Sequence, residues 1–136
     1  MTRVVMPSGD IRGDVSAYDP AIRVFRGIPY AAPPVGELRW QPPQPADTLQ
    51  DELDATAFGT SCYQERHTSV FVWRREDFPV SEDCLYLNIW TSTLGNDAKQ
   101  PIMVYFHGGS NISGWSYEPN YHGQLLAKRG VVIVTI

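Results

Sequence analysis

The chain has 136 residues, 43% hydrophobic and 12% aromatic, with 11 basic against 15 acidic side chains, a net charge of -4 and a pI near 5.2. This composition can bury a core but carries no basic footprint for nucleic acid or for an anionic membrane surface, so neither is expected as a partner. Its longest apolar runs, residues 102–106 and 131–136, fall far short of the roughly 20 residues that cross a bilayer. The first ten residues also lack the apolar core of about 7–15 residues that a secretory leader needs.

In chain order, residues 3–6 and 11–16 are β-prone and flank Pro7-Ser8-Gly9-Asp10, which predicts an antiparallel hairpin. Residues 22–25 alternate as a half-buried strand does. From 28 to 45 the chain carries Pro29, Pro33, Pro34, Pro42, Pro43 and Pro45. Helix is excluded there and an extended strap is expected, held down rather than free because it also carries Tyr30, Leu38 and Trp40. Residues 46–61 show no pattern. The segment from Cys62 to Cys84 lacks periodicity but holds Phe71, Trp73 and Phe78, which predicts a loop packed by its own aromatics.

Residues 85–90 alternate as a strand, and 94–100 form a polar turn around Gly95 and Asn96. Residues 102–106 are unbroken apolar sequence between Pro101 and a glycine pair, the pattern of a strand buried on both faces. Residues 119–129 are the best helix candidate: Leu125, Leu126 and Arg129 stand at helical spacing, Lys128 and Arg129 suit the C-terminal dipole, and Gly130 stops it, although Gly123 weakens it. Residues 131–136 then read as a second buried strand, completing a βαβ unit.

The expected fold class is α/β, an antiparallel hairpin start leading into a central, mostly parallel sheet. Because the chain stops inside its last strand with one helix to cover the sheet, it is expected to be the N-terminal part, 1–136, of a single larger domain. Alone it should be neither active nor stably folded, with 131–136 left as an unpaired hydrophobic edge.

The stretch 101–114 carries the chemistry. Gly108 and Gly109 directly follow a strand, which permits positive φ and a close backbone approach to a ligand, so that successive N–H groups can converge on one anion. This is the raw material of an oxyanion hole; a plain strand-to-loop turn is the competing reading. His-Gly-Gly-x after a strand is also the pattern in which lipases and esterases donate an N–H to a tetrahedral intermediate.

Three blocks together resemble the type B carboxylesterase and cholinesterase family of the α/β-hydrolase fold. They are Val24-Phe25-Arg26-Gly27-Ile28-Pro29-Tyr30-Ala31-Ala32-Pro33-Pro34 running on through Gly36 and Leu38-Arg39-Trp40; Ser81-Glu82-Asp83-Cys84-Leu85-Tyr86-Leu87-Asn88-Ile89-Trp90; and the turn His107-Gly108-Gly109. The resemblance implies a serine carboxylic-ester hydrolase that works through an acyl-enzyme intermediate on a small-molecule ester and needs no cofactor. It assigns oxyanion donation to the backbone N–H groups of Gly109 and Ser110, with Gly108 making the turn possible and a third donor following the nucleophile. Ser110 is acceptable there if its φ stays negative. It also implies a disulfide between Cys62 and Cys84, the only cysteines, and with it a secreted or periplasmic location. Trp73, in the loop so closed, becomes a candidate substrate-binding indole, against the alternative that it simply packs.

The sequence departs from the family pattern at Ser110 and Asn111, where a third glycine and an aromatic are usual, and at Ser92, where a proline is often found. G-x-S-x-G does not occur, so Ser110, Ser113 and Ser116 are not nucleophiles, and the triad is expected beyond residue 136. His107 reads as a residue that holds the turn rather than as the catalytic base. His67 and His122 have no acidic or thiol neighbours at ligand spacing, so no metal is expected. Glu82 and Asp83 read as separate structural contacts. The alternative function is a catalytically inactive, cholinesterase-like adhesion protein of the same fold. Ser110 favours it; the retained His107-Gly108-Gly109 favours the enzyme. Oligomeric state is not legible.

Overall fold

The computed structural model describes residues 2–7, 9–48, 51–64, 78–95 and 98–136. β1 (Thr2–Val4) and β2 (Ile11–Val15) form the expected antiparallel hairpin, its turn closed by the Gly9 N–H on the Met6 carbonyl at 3.1 Å. β3 (Arg23–Pro29) runs antiparallel to β2, and the two-residue β4 (Leu53–Asp54) pairs parallel with β2. β5 (Tyr86–Thr91), β6 (Ile102–Tyr105) and β7 (Val132–Thr135) complete the sheet, whose order is β1-β2-β3-β5-β7-β6. Pairing is antiparallel from β1 through β3 and β5 to β7, and becomes parallel where β7 meets β6.

Strand alternation builds two cores, one on each face. Val24 pairs with Trp90 and Trp90 with Ile133, and these three lie on one face with Ile22 and Ala127. Their chain neighbours Phe25 and Ile89 pair with each other on the opposite face, where Phe25 packs with Ile11 and Ala55. One-residue steps along β3 and β5 thus feed opposite cores, as a period of two requires. A register shift between Phe25 and Ile28 interrupts the β3–β5 ladder and turns the Gly27 N–H onto the Asn88 side-chain oxygen at 3.0 Å.

The helix expected over 119–129 is not one element. A 3₁₀ turn, Pro119–Tyr121, is followed by extended backbone at His122 and then by α1 (Gln124–Ala127), a single turn. Packing overrides propensity at the break: the His122 ring sits 5.6 Å from both Phe58 and Trp90, and Gly123 is pressed so close to Ile133 that a Cβ would lie 2.5 Å from its Cβ. Ala127 is the buried residue of α1, while Leu125 is exposed.

Two expectations about the last strands are corrected. Among the described residues β6 is not buried on both faces; it ends the row, pairs with β7, and leaves Ile102, Met103, Val104, Tyr105 and Phe106 exposed. The exposed edge is therefore β6 and not 131–136, because β7 lies between β5 and β6 with Ile133 and Thr135 buried.

The strap over residues 30–45 carries only a 3₁₀ turn, Gly36–Leu38, as its prolines require. Trp40 does not anchor it: the indole is 86% exposed, with the Arg39 guanidinium 5.1 Å from its ring centroid. The strap is held instead by Arg39 paired with Glu82, by Ala31 in the interior, and by the Ala32 N–H on the Gln44 carbonyl at 2.9 Å. Of the aromatics in the Cys62–Cys84 segment, Phe71 and Trp73 lie outside the described residues. Phe78 packs on Trp115, with ring centroids 3.9 Å apart.

Candidate active site

β6 and β7 run parallel and end together, Tyr105 opposite Thr135, with the Ile136 N–H on the Tyr105 carbonyl at 3.0 Å. Ligand sites in parallel sheets form outside such carboxyl ends. A cleft of about 320 Å³ opens there, lined by Phe106, His107, Asn111, Gly114 and Tyr117 after β6, and across from them by Cys62, Cys84 and Tyr86.

The turn after β6 is set by the backbone. Gly109, Ser110 and Asn111 have φ of 128°, 56° and 59°, and the Gly109 carbonyl accepts from the N–H of Ile112 at 3.0 Å and of Ser113 at 3.1 Å. A Cβ on Gly109 would sit 1.7 Å from the Ser113 carbonyl oxygen, whereas one on Gly108 would meet nothing within 4 Å among the described residues. The steric demand for glycine thus falls on Gly109 rather than on Gly108. Ser110, expected to keep a negative φ, is instead left-handed, as is Asn111, a residue type that tolerates this region better than most.

Among the described residues, neither the Gly109 nor the Ser110 N–H has a hydrogen-bond acceptor. These two residues are not part of the cleft lining, which the turn reaches through His107, Asn111 and Gly114. The His107 Nδ1 donates to the Gly108 carbonyl at 2.7 Å and so braces the turn.

Cys62 and Cys84 come together on the cleft wall, but their sulfurs are 3.1 Å apart and unbonded, well beyond the bond length of about 2.05 Å. Burial, then the Cys62 thiol and the nearby Asp83 and Glu82 carboxylates, pushes the Cys84 thiol up to about 12, so it stays protonated and weakly nucleophilic at neutral pH. Tyr86 is also pushed up to about 12, first by burial and then by its 2.8 Å hydrogen bond to Asp83. Glu82 instead pairs with Arg39, so the two neighbouring acids do make separate structural contacts. Trp73 lies outside the described residues. Among those residues no cluster of three or more His, Cys, Asp or Glu side chains is placed to hold a metal ion, and no helix is long and apolar enough to cross a membrane.

Sequence reading missed the residues that hold the site in place. Asn88 is 1% exposed: its oxygen accepts from the Gly27 N–H, and its amide nitrogen donates to the hydroxyls of Ser116 and Thr135, both at 3.1 Å. It ties the β3 bulge, β7 and the segment after the turn into one network. The signal was an amide in the middle of an apolar strand, where a buried polar group requires partners. Gly114 was overlooked as well. A Cβ there would lie 2.5 Å from the Gly108 carbonyl oxygen and 2.7 Å from His107 Nδ1, so only glycine lets these groups pack. Gln64 grips Gly114 from the other side, its Oε1 accepting from the Gly114 N–H at 2.8 Å and its Nε2 donating to the Gly114 carbonyl at 2.9 Å. Fifty residues separate the pair, and no local pattern announces it.

The chain is similar to several proteins of known function. Acetylcholinesterase-1 of Trittame loki is 44% identical over 119 residues, covering 85% of this chain and 21% of that protein. Fumonisin B1 esterase of Sphingopyxis macrogoltabida is 38% identical over 126 residues, covering 90% and 22%. The crystal structure of a Geobacillus stearothermophilus carboxylesterase superposes with a TM-score of 0.81 at 36% identity, over 98% of this chain and 26% of that one. The chain thus spans about a quarter or less of the relatives it matches, and its sheet is that of the N-terminal part of an α/β-hydrolase. The carboxylesterase family model matches residues 1–136, and the chain belongs to the carboxylesterase family.

Proposed function

We propose that the protein carrying this segment hydrolyses carboxylic esters through an acyl-enzyme intermediate, and that the turn after β6 supplies its oxyanion hole. The observation that carries the reading is the pair of N–H groups on Gly109 and Ser110 that have no acceptor among the described residues, on a turn closed by the Gly109 carbonyl at the carboxyl end of a parallel strand pair. A serine oxygen adds to the ester carbonyl while a histidine takes its proton; the carbonyl oxygen becomes an oxyanion held by these donors. The carbonyl then re-forms, the C–O bond to the alcohol breaks, and the alcohol leaves with that proton. Water repeats the sequence to release the acid. Relatives whose names describe ester hydrolysis, a fumonisin B1 esterase and a para-nitrobenzyl esterase among them, support an ester substrate.

The test is hydrolysis of a p-nitrophenyl ester by the full-length protein, with loss of activity after treatment with a serine-directed organophosphate. No hydrolysis above a buffer blank refutes the reading and favours an inactive binding protein, for which Ser110 in place of glycine is the one supporting feature. Closing the Cys62–Cys84 pair belongs to the same proposal. In the chain-entropy account a loop of this length contributes about 3 kcal/mol when closed. Two titratable thiols in the denatured, unreduced full-length protein would contradict it.

A further inference from the structure

We propose that Gln64 is a positioning residue for the oxyanion turn, acting through Gly114. This rests on the proposed ester hydrolysis and names a residue outside the turn on which that chemistry depends. Gln64 holds both polar groups of one residue, the Gly114 N–H at 2.8 Å and the Gly114 carbonyl at 2.9 Å, and its Nε2 also reaches back to the Cys62 carbonyl at 3.3 Å. The clamp therefore fixes Gly114 in rotation as well as in place, which a single hydrogen bond cannot do.

What Gly114 touches is the turn itself. Its Cα approaches the Gly108 carbonyl oxygen and the His107 ring so closely that a methyl group would overlap both. On its other side the Ser113 N–H and hydroxyl meet the Gly109 carbonyl at 3.1 and 3.4 Å. Residues 113 and 114 thus form a floor under Gly108 and Gly109. The peptide planes that rest on it are those whose N–H directions matter when charge develops on the substrate. Donors of this kind contribute through alignment that exists before the reaction, and misplacement of reacting groups by about 1 Å costs up to about 100-fold.

The experiment uses the full-length protein with Gln64→Ala and the nearly isosteric Gln64→Glu. Gln64→Ala is expected to lower kcat about 10- to 100-fold with KM within about twofold, and to weaken a trifluoromethyl ketone, which binds as a tetrahedral oxyanion, by a similar factor. A planar ketone of the same shape should bind unchanged. Gln64→Glu keeps the acceptor for the Gly114 N–H but at neutral pH has no proton for the Gly114 carbonyl. Its kcat relative to the wild type should therefore rise as pH falls from about 7 to 5 and the introduced carboxyl takes up a proton. A merely structural role would move stability but would produce neither the tetrahedral-over-planar selectivity nor this pH-dependent recovery. A wild-type protein that hydrolyses no ester refutes the oxyanion reading and this proposal with it. An active protein whose Gln64→Ala variant keeps kcat and trifluoromethyl ketone affinity within about twofold refutes the clamp alone. If Gln64→Ala fails to fold, a Gln64→Glu kcat ratio that stays flat with pH overturns it.

Discussion

The two glycines that the sequence presents as a unit are predicted to respond oppositely to alanine. At Gly109 the new Cβ would lie 1.7 Å from the Ser113 carbonyl oxygen, and φ of 128° lies outside the regions open to L-residues. Relief requires moving residue 113, which breaks the two hydrogen bonds that close the turn on the Gly109 carbonyl. At about 1 kcal/mol for each bond and roughly 1–3 kcal/mol for backbone strain, Gly109→Ala should cost about 3–5 kcal/mol locally. Because the displaced peptide planes carry the proposed donors, kcat should fall about 10²–10³-fold with KM changing much less. Gly108→Ala meets nothing within 4 Å among the described residues and should leave stability within about 0.5 kcal/mol and kcat within about threefold. Thermal melts and steady-state kinetics on both full-length variants check this. A well-folded Gly109→Ala protein with near-normal kcat, or equal damage from the two substitutions, would show the reasoning to be wrong.

Ser110→Gly removes a side chain from a left-handed position, φ 56°, and should stabilise the folded protein by up to about 1 kcal/mol while leaving kcat within about threefold, since the N–H is retained; a destabilised variant in a denaturant titration would contradict this. Asn88→Ala strips three hydrogen bonds from a residue 1% exposed and strands the Gly27 N–H, for an expected loss of about 2–3 kcal/mol in the same titration, with a loss under about 0.5 kcal/mol as the refuting result. Burial first, and the Arg26 charge after it, hold the His122 imidazole below its ordinary value, against the opposing Tyr117 carbonyl hydrogen bond. The folded state therefore prefers neutral His122. Its stability is fully present above about pH 6.5 and declines as pH falls through the unfolded value toward the depressed folded one. His122→Phe, which keeps an aromatic ring beside Phe58 and Trp90, should flatten that acid limb. An unchanged pH dependence of the melting temperature would exclude His122 as its source.

The elements were legible wherever local pattern decides them, and the pairings were not. The hairpin around Gly9, the strand in 85–90 and the strands on either side of α1 all stand where alternation and turn residues put them. Strand order did not follow from such signals: β5 inserts between β3 and β7, a choice made by Val24 meeting Trp90 and Trp90 meeting Ile133, which only the folded register reveals. Residues 102–106 carry the composition of a doubly covered strand and lie exposed at the end of the row among the described residues, in a chain that spans about a quarter of the relatives it matches. The helix over 119–129 failed because the stacking of His122 and the contact of Gly123 with Ile133 lie outside any 3.6-residue period.

At the site, the motif located the turn; the structure puts the steric demand on Gly109 and gives Ser110 a positive φ. Left-handed φ at Ser110 and Asn111, with the Gly109 carbonyl accepting from Ile112 and Ser113, makes one left-handed turn of backbone. The opening N–H groups of any helical turn precede the first internal bond and have no partner within it. Those of Gly109, Ser110 and Asn111 stand in that position, and none has an acceptor among the described residues. Donor supply is therefore a property of the turn and not of a third glycine, which is why Ser110 and Asn111 depart from the usual pattern without removing a donor. Only the steric requirement is residue-specific. It sits at Gly109 against Ser113 and at Gly114 against Gly108 and His107, so the sequence constraint spreads along 107–114 and, through the two-point amide contact, out to Gln64.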